Sequence, residues 1–260
     1  MSEGDVAWVE LAASLVLVAV AVALSAWRRL GLERTMVWAS TRAAAQLLLV
    51  GSALTLAIDP DQPIVWSWVW VVGMVIFAAI TIRRRAPEVP RLFPVALVAI
   101  SAAAAVSLGV VFGLGIFPIE GRTVIPVAGM MIGNAMKDAV VAARRVVGEL
   151  SDKRHEVEAR LALGQPWQVA SRPYLRSALR TALTSQIETT KSVGLVFLPG
   201  AMTGLILAGV DPVDAVLVQL ALMYLILGSV ATVVTVVGVG LTRRLFTTDH
   251  RLVRLPRSTS

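Results

Sequence analysis

The sequence predicts an all-α integral membrane protein with seven transmembrane helices, and three observations lead there. Of its 260 residues, 57% are hydrophobic and only 16% charged. That is a membrane composition, and the length suits a single transmembrane domain over residues 1–260. Seven segments are long and apolar enough to cross a hydrocarbon core about 30 Å thick as helices. Basic residues gather in alternate loops, as they do on the cytoplasmic face of membrane proteins.

In chain order the predicted spans are Ala7–Trp27, Met36–Ile58, Ile64–Ile82, Leu92–Phe117, Thr123–Val141, Ile187–Val210 and Pro212–Leu241. The first is expected to be retained as a span. Its leading residues, Ser2-Glu3-Gly4-Asp5, are acidic where a cleaved signal is basic, and its apolar run is too long for one. Trp66, Trp68 and Trp70 at the start of span three fit an interfacial aromatic belt. The pairs Gly109/Gly113, Gly129/Gly133 and Gly200/Gly204 have the spacing that lets helices approach closely in lipid. They are expected to pack within the bundle, with contact to a second copy as the alternative. No internal repeat is evident, so an inverted-repeat transporter is unsupported.

Charge sets the orientation. The formal net charge is +7, with 24 Lys and Arg. Arg28, Arg29 and Arg34 follow span one, and Arg83, Arg84, Arg85 and Arg91 follow span three. Arg243, Arg244, Arg251, Arg254 and Arg257 form the tail. The opposite loops contain Asp59-Pro60-Asp61, Pro118-Ile119-Glu120-Gly121 and Gly209-Val210-Asp211, with Arg122 the one basic residue there. This is a positive-inside pattern. It places the N-terminus outside and the C-terminus in the cytoplasm of an inner, plasma-membrane protein. It also explains the basic charge without nucleic acid. There is no cysteine, so disulfides and thiolate metal sites are excluded.

One long polar insert, residues 137–186, separates spans five and six. A helical pattern runs from Thr123 out of the membrane toward Leu163. Val140, Ala143, Val147, Leu150, Val157 and Leu161 lie near one stripe, with Arg144, Arg145, Glu149, Asp152 and Lys153 on other faces. Gly164 and Pro166 end it, and an amphipathic basic segment, Trp167 to Leu183, follows. A charged helix, a glycine break and a second helix make a docking handle for a separate soluble motor. Glu158, Ala159, Gly164, Pro166 and Trp167 are its candidate coupling residues.

These residues resemble the coupling region of ABC-transporter permeases, in which a Glu-Ala-Ala…Gly signature enters a cleft on the ATPase subunit. The match is partial: Arg160 follows Glu158-Ala159, and Gly164 stands at the expected offset. A longer stretch is more specific. Lys191-Ser192-Val193-Gly194 through Leu198-Pro199-Gly200-Ala201-Met202-Thr203-Gly204 to Asp211-Pro212 resembles the FetB-like family of ABC permeases. So do Gly129-Met130-Met131-Ile132-Gly133-Asn134 and Leu161-Ala162-Leu163-Gly164. The resemblance is strongest from Pro126 to Leu245. It implies the membrane subunit of a bacterial iron exporter, related to plant permeases tied to aluminium tolerance. It also implies a cytoplasmic ABC ATPase partner and a permease homodimer. Ala201 departs from a Met-Met pair expected after Pro-Gly, which weakens the inference to iron if that pair touches substrate.

The chain carries no Gly-x-x-x-x-Gly-Lys-Ser/Thr loop, so ATP and Mg are expected on the partner and no cofactor on this chain. No catalytic residues are expected, since no nucleophile triad or zinc-protease pattern occurs. His155 and His250 lie far from any span centre.

Polar residues inside spans are costly, about 3 kcal/mol or more for a charge at the bilayer centre. Glu188 and Lys191 share one helix face near the cytoplasmic end and are candidates for an inner gate. Counting ~1.5 Å per residue puts Asn134 about 16 Å inward from Thr123, and Pro199 about 18 Å from Ile187 on the antiparallel span. Pro199 has no N–H, so the Leu195 carbonyl loses its helical partner. Irregular backbone at that depth needs shelter in protein or beside water.

Met130, Met131, Asn134, Pro199, Gly200, Met202 and Thr203 are therefore the candidate solute path, with a plain structural kink as the alternative. The metal ligands, if any, are undefined, because iron(II) favours imidazole, carboxylate or water. The remaining alternatives are an ABC permease for an organic anion or lipid-like molecule, a gradient-driven transporter and a membrane enzyme.

Overall fold

The computed structural model describes residues 3–57, 63–194, 198–247, 249 and 251–253, with side chains from residue 13 and none for 53–57. Ile58, the predicted loop 59–62, Leu195, His250, Arg254 and Arg257 lie outside the described residues. Nine helices form among them: α1 Glu3–Trp27, α2 Glu33–Ala57, α3 Val65–Arg85, α4 Leu92–Gly113, α5 Gly121–Asp152, α6 Arg154–Ala162, α7 Trp167–Ser192, α8 Gly200–Leu207 and α9 Pro212–Leu245. The fold is all-α, as expected of a chain whose backbone must satisfy its own hydrogen bonds in lipid. Four helices, α3, α4, α5 and α9, are long and apolar enough to span a membrane, and Ala13–Trp27 of α1 is a shorter apolar stretch.

The chain forms two compact units, Met1–Gln62 and Pro63–Ser260. In the first, α1 and α2 make a hairpin. Arg29 and Gly31 adopt left-handed backbone at φ 54° and 69°. The buried Ser25 hydroxyl donates to Glu33 Oε1 at 2.8 Å across the turn.

In the second unit α5 is central. It packs on α9, α3, α7 and α4, while α9 also carries α4, α7 and α8. The stripe predicted on α5 is the buried one: Val140, Ala143, Val147, Leu150 and Val157 are all buried, and Leu161 packs half-buried against them. The predicted continuous helix toward Leu163 is nevertheless interrupted. Lys153, at φ −98° and ψ 22°, separates α5 from α6.

The predicted sixth span is not one helix either. The segment from Trp167 is a single helix to Ser192, so the predicted surface helix and the start of span six are continuous. Val193 is then extended and Gly194 turns left-handed at φ 96°. Helix resumes only after Pro199, which caps α8.

The three predicted glycine pairs are not the close contacts of the bundle. A Cβ at Gly109, Gly113, Gly133, Gly200 or Gly204 meets nothing within 4 Å, and one at Gly129 makes ordinary contact with Met74. The close approaches are on α9. A Cβ at Gly238 would lie 2.5 Å from Leu179 Cδ2 of α7, and one at Gly240 2.9 Å from Val95 Cγ1 of α4. Both allow large neighbours to seat on α9, where packing replaces the hydrophobic effect. Trp68, from the predicted belt, turns partly inward and meets Phe112 edge-on at 6.1 Å.

Candidate functional site

The α6–α7 turn is built from tightly specified local structure. Gly164 adopts φ 84°, a conformation open to glycine because it lacks Cβ. The N–H groups of Gly164 and Gln165 close the end of α6 on the carbonyls of Leu161 and Arg160 at 3.0 and 3.2 Å. Pro166 starts α7 from an extended backbone, and its carbonyl accepts from Val169 and Ala170 at 2.9 and 3.0 Å. Its fixed φ suits that position.

Side chains then brace the turn. Arg154 donates from Nε to Glu158 Oε1 at 2.7 Å. The Tyr174 hydroxyl of α7 donates to Glu156 Oε2 at 3.0 Å, and Lys153 Nζ lies 3.1 Å from Glu156 Oε1. The Arg160 guanidinium sits 5.8 Å from the Tyr174 ring centre. Lys153 first, and Tyr174 second, hold the Glu156 carboxyl below its ordinary value. Burial first, and the bond to Glu156 second, push the Tyr174 phenol up. Ser177 ties α7 to Glu149 of α5 at 3.0 Å.

Of the predicted coupling residues, Ala159, Gly164 and Pro166 are exposed, while Glu158 and Trp167 are half-buried. The indole of Trp167 stacks on Phe246 at 5.6 Å with an interplanar angle of 21°. The sequence reading passed over Leu163, which is 82% exposed at the tip of the turn. A large apolar side chain next to a left-handed glycine was the available signal.

The predicted solute-path residues are only partly gathered. Met131 is fully buried in the helical core. Its thioether side chain fills packing space on α5 as any apolar chain does. Met130 is half-buried, and its carbonyl accepts from Asn134 Nδ2 at 2.9 Å within the same helix. Pro199, Gly200, Met202 and Thr203 lie at the start of α8, whose main partner is α9. Thr203 Oγ1 donates to the Pro199 carbonyl at 3.2 Å. The predicted gate pair forms: Lys191 Nζ donates to Glu188 Oε1 at 2.9 Å, with both side chains exposed.

Three polar side chains in or near the core, Asp138, Gln165 and Gln219, were not among the predicted site residues. Asp138, one turn beyond Asn134, is 9% exposed; no hydrogen bond to it forms among the described residues, and Lys137 is its charged neighbour. Gln165 at the α6–α7 turn and Gln219 of α9 each bury Oε1 with no hydrogen-bond partner among the described residues. Among the described residues no three His, Asp or Glu side chains converge.

The family model described as "Uncharacterised protein family (UPF0014)" matches residues 8–246. The chain is 39% identical to UPF0014 membrane protein STAR2 of Oryza sativa subsp. japonica, over 84% of this chain and 76% of that one. It is 32% identical to the probable iron export permease protein FetB of Escherichia coli (strain K12), over 94% of this chain and 93% of that one. Identity to Protein ALUMINUM SENSITIVE 3 of Arabidopsis thaliana is 34%, over 85% and 81%. No solved structure matches it at a significant level. With its apolar helices and a match across nearly its whole length, the chain belongs to the UPF0014 family and is a multi-pass membrane protein akin to FetB-like permeases.

Proposed function

We propose that the chain is the permease subunit of an ATP-binding-cassette transporter and moves a small solute, foremost iron, out of the cytoplasm. It works as a homodimer with two ATPase chains, which hold the ATP and Mg. In this reading the protein forms one transmembrane domain with seven spans, its N-terminus outside and its C-terminus in the cytoplasm. Span six is the broken pair formed by the end of α7 and α8. The arginines at the α1–α2 and α3–α4 turns and after α9 support that orientation.

The observation that carries the reading is the α6–α7 turn. It presents Leu163 and the exposed Ala159, Gly164 and Pro166 on two helices braced by side-chain bonds. Those helices lead into α5, across the Lys153 break, and along α7 into the bundle. Force applied at the turn therefore has a direct route to two helices beside the candidate path.

Asp138 favours a cationic solute over an organic anion or a lipid-like molecule. A largely buried carboxyl with no hydrogen-bond donor among the described residues, and only Lys137 as charged neighbour, is costly, and carboxylate is an oxygen ligand suited to iron(II). The name of the Escherichia coli relative, a probable iron export permease, points the same way.

The test is reconstitution of the permease with its cognate ATPase in proteoliposomes. Iron(II) is expected to enter the lumen through molecules whose ATPase faces the bath, and only with ATP. ATP hydrolysis by the purified permease alone, or iron movement without the ATPase, overturns the reading. ATP-driven movement of an organic anion in place of iron reassigns the solute.

A further inference from the structure

We propose that the antiparallel pair of segments Phe246–Thr247 and Arg251–Val253, a C-terminal hairpin, is a positioning element for the α6–α7 turn, acting through Arg154 and Phe246. The proposal rests on the reading of that turn as the ATPase docking element.

The hairpin has its own register. Phe246 leaves α9 in extended conformation and forms an antiparallel bridge with Leu252. Thr247 N–H donates to the Arg251 carbonyl and Val253 N–H to the Leu245 carbonyl, both at 2.9 Å. Arg251 N–H donates to Thr247 Oγ1 at 3.1 Å. Phe246 and Leu252 are buried and join the same core as Leu245 of α9 and Val157 of α6. Those two apolar side chains anchor the hairpin to the end of α9.

From that base it reaches both sides of the turn. Arg154, the first residue of α6, donates from Nη2 to the Leu252 carbonyl at 3.3 Å and from Nη1 to the Val253 carbonyl at 3.5 Å. The Nε of the same guanidinium holds Glu158. A planar, always-charged fork suits this division of donors between a carboxylate and two carbonyls. On the other side, Trp167, the first residue of α7, stacks on Phe246.

The geometry gives this bracing a purpose. α6 has nine residues and lies between a break at Lys153 and the left-handed Gly164. A helix that short is not stable by itself, so its direction comes from what touches it. Val157 and the Glu156–Tyr174 bond tie it to α5 and α7, and the hairpin ties it to α9. α9 in turn carries α8, the far half of the broken span. Displacement of the turn is thus passed to α9 directly as well as through α5 and α7.

The chain has no cysteine, which permits a structural test on the full-length protein without transport. Spin labels on Ala162→Cys of α6 and Arg145→Cys of α5, both exposed sites, report the angle of the turn by their distance distribution. Phe246→Leu keeps apolar volume without the ring face, and Arg154→Gln removes the charged fork. Each is expected to broaden the distribution, with Phe246→Tyr restoring the narrow one. In the complex with ATPase, transport per ATP is expected to fall about tenfold in Phe246→Leu and Arg154→Gln and to recover in Phe246→Tyr.

Unchanged distributions together with an unchanged transport-to-hydrolysis ratio overturn the proposal. Leu163→Asp, measured alongside for ATPase association, keeps the two readings apart. Undiminished association there defeats docking at the turn, whatever the hairpin variants do.

Discussion

The Tyr174 hydroxyl donates a 3.0 Å hydrogen bond to Glu156 Oε2, joining α7 to α6 across the Gly164 turn. Lys153 shares the same carboxylate, at 3.1 Å. Glu156 is held below its ordinary carboxyl value, by Lys153 first and Tyr174 second. A carboxyl depressed in the folded state stabilises it above the unfolded pKa, and that contribution is lost as pH falls through the folded value. Lys153 is raised, chiefly by the hydrogen bond to Glu156, so its contribution is full below its unfolded pKa and is lost as pH rises through the raised value.

Hydrogen exchange of the α6 amides, corrected for intrinsic rate, should therefore show steady protection at neutral pH and a decline in acid. Tyr174→Phe removes one cause of the depression and brings the folded value nearer the unfolded one, so its acid decline should be shallower and end at higher pH. Coincident acid limbs in the two proteins would show that Tyr174 does not act on Glu156.

Gly164 tests the turn itself. No atom lies within 4 Å of a Cβ there, so any cost of substitution comes from the left-handed backbone and not from crowding. That conformation costs an ordinary residue roughly 1–2 kcal/mol, and Asn tolerates it best. Gly164→Leu should keep the bundle folded, by thermal melting, while losing ATPase stimulation. Gly164→Asn should retain most of it. Glu158→Ala should act more mildly, because a partly exposed pair with Arg154 contributes about 0–1 kcal/mol. Wild-type stimulation in Gly164→Leu removes the turn as the coupling element.

The contrast among glycines is sharper. Gly238 meets Leu179 and Leu175, and Gly240 meets Val95, whereas Gly109 meets nothing. Gly240→Ala should cost about 1–3 kcal/mol, the range for overpacking a close contact, because Val95 branches near its backbone and cannot swing away. Gly238→Ala should cost less, since the ends of leucine side chains can yield. Gly109→Ala should be near neutral in the isolated permease. Steric-trap unfolding or thermal melting in detergent orders the three. Equal losses in Gly109→Ala and Gly240→Ala refute the packing argument.

Those glycines also show where sequence stops being informative. Spacing of four marked Gly109/Gly113 and Gly200/Gly204, but the tight contacts fall at Gly238 and Gly240, two residues apart on nearly opposite faces of α9. Only the neighbouring helices decide which glycine is approached. Period and chemistry read well where one helix suffices: the buried stripe from Val140 to Val157, the helix end at Gly164 and the Glu188–Lys191 pair were all legible. The break at Lys153 was not, because no Gly or Pro announces it. Arg154 could not be matched to Leu252 and Val253, since its partners there are carbonyls that every residue possesses. Burial of Met131 was not legible either, because an apolar side chain reads alike in a core and beside a cavity.

The broken span yields the last prediction. The break was expected to rest on Pro199, so that Pro199→Ala would restore a continuous helix. In the structure Val193 is already extended and Gly194 stands at φ 96°, well before Pro199 caps α8. Alanine at Pro199 therefore should leave the break in place and transport largely intact. Gly194→Ala, forced into the left-handed region, should disturb both the break and transport.

Asn134 and Asp138, one turn apart on α5, then separate a path from a packing role. Asn134→Leu forfeits only a bond to its own helix at Met130, so stability should change by about 1 kcal/mol or less. Asp138→Asn keeps the shape and removes a largely buried carboxylate whose charged neighbour is Lys137, so the bundle should be about as stable. If these residues meet a cation in transit, both variants should melt like the parent yet lose ATP-driven iron(II) uptake into proteoliposomes, Asp138→Asn the more severely. Parent-like uptake in Asp138→Asn would take the carboxyl out of the path and leave Asn134 as a local helix contact.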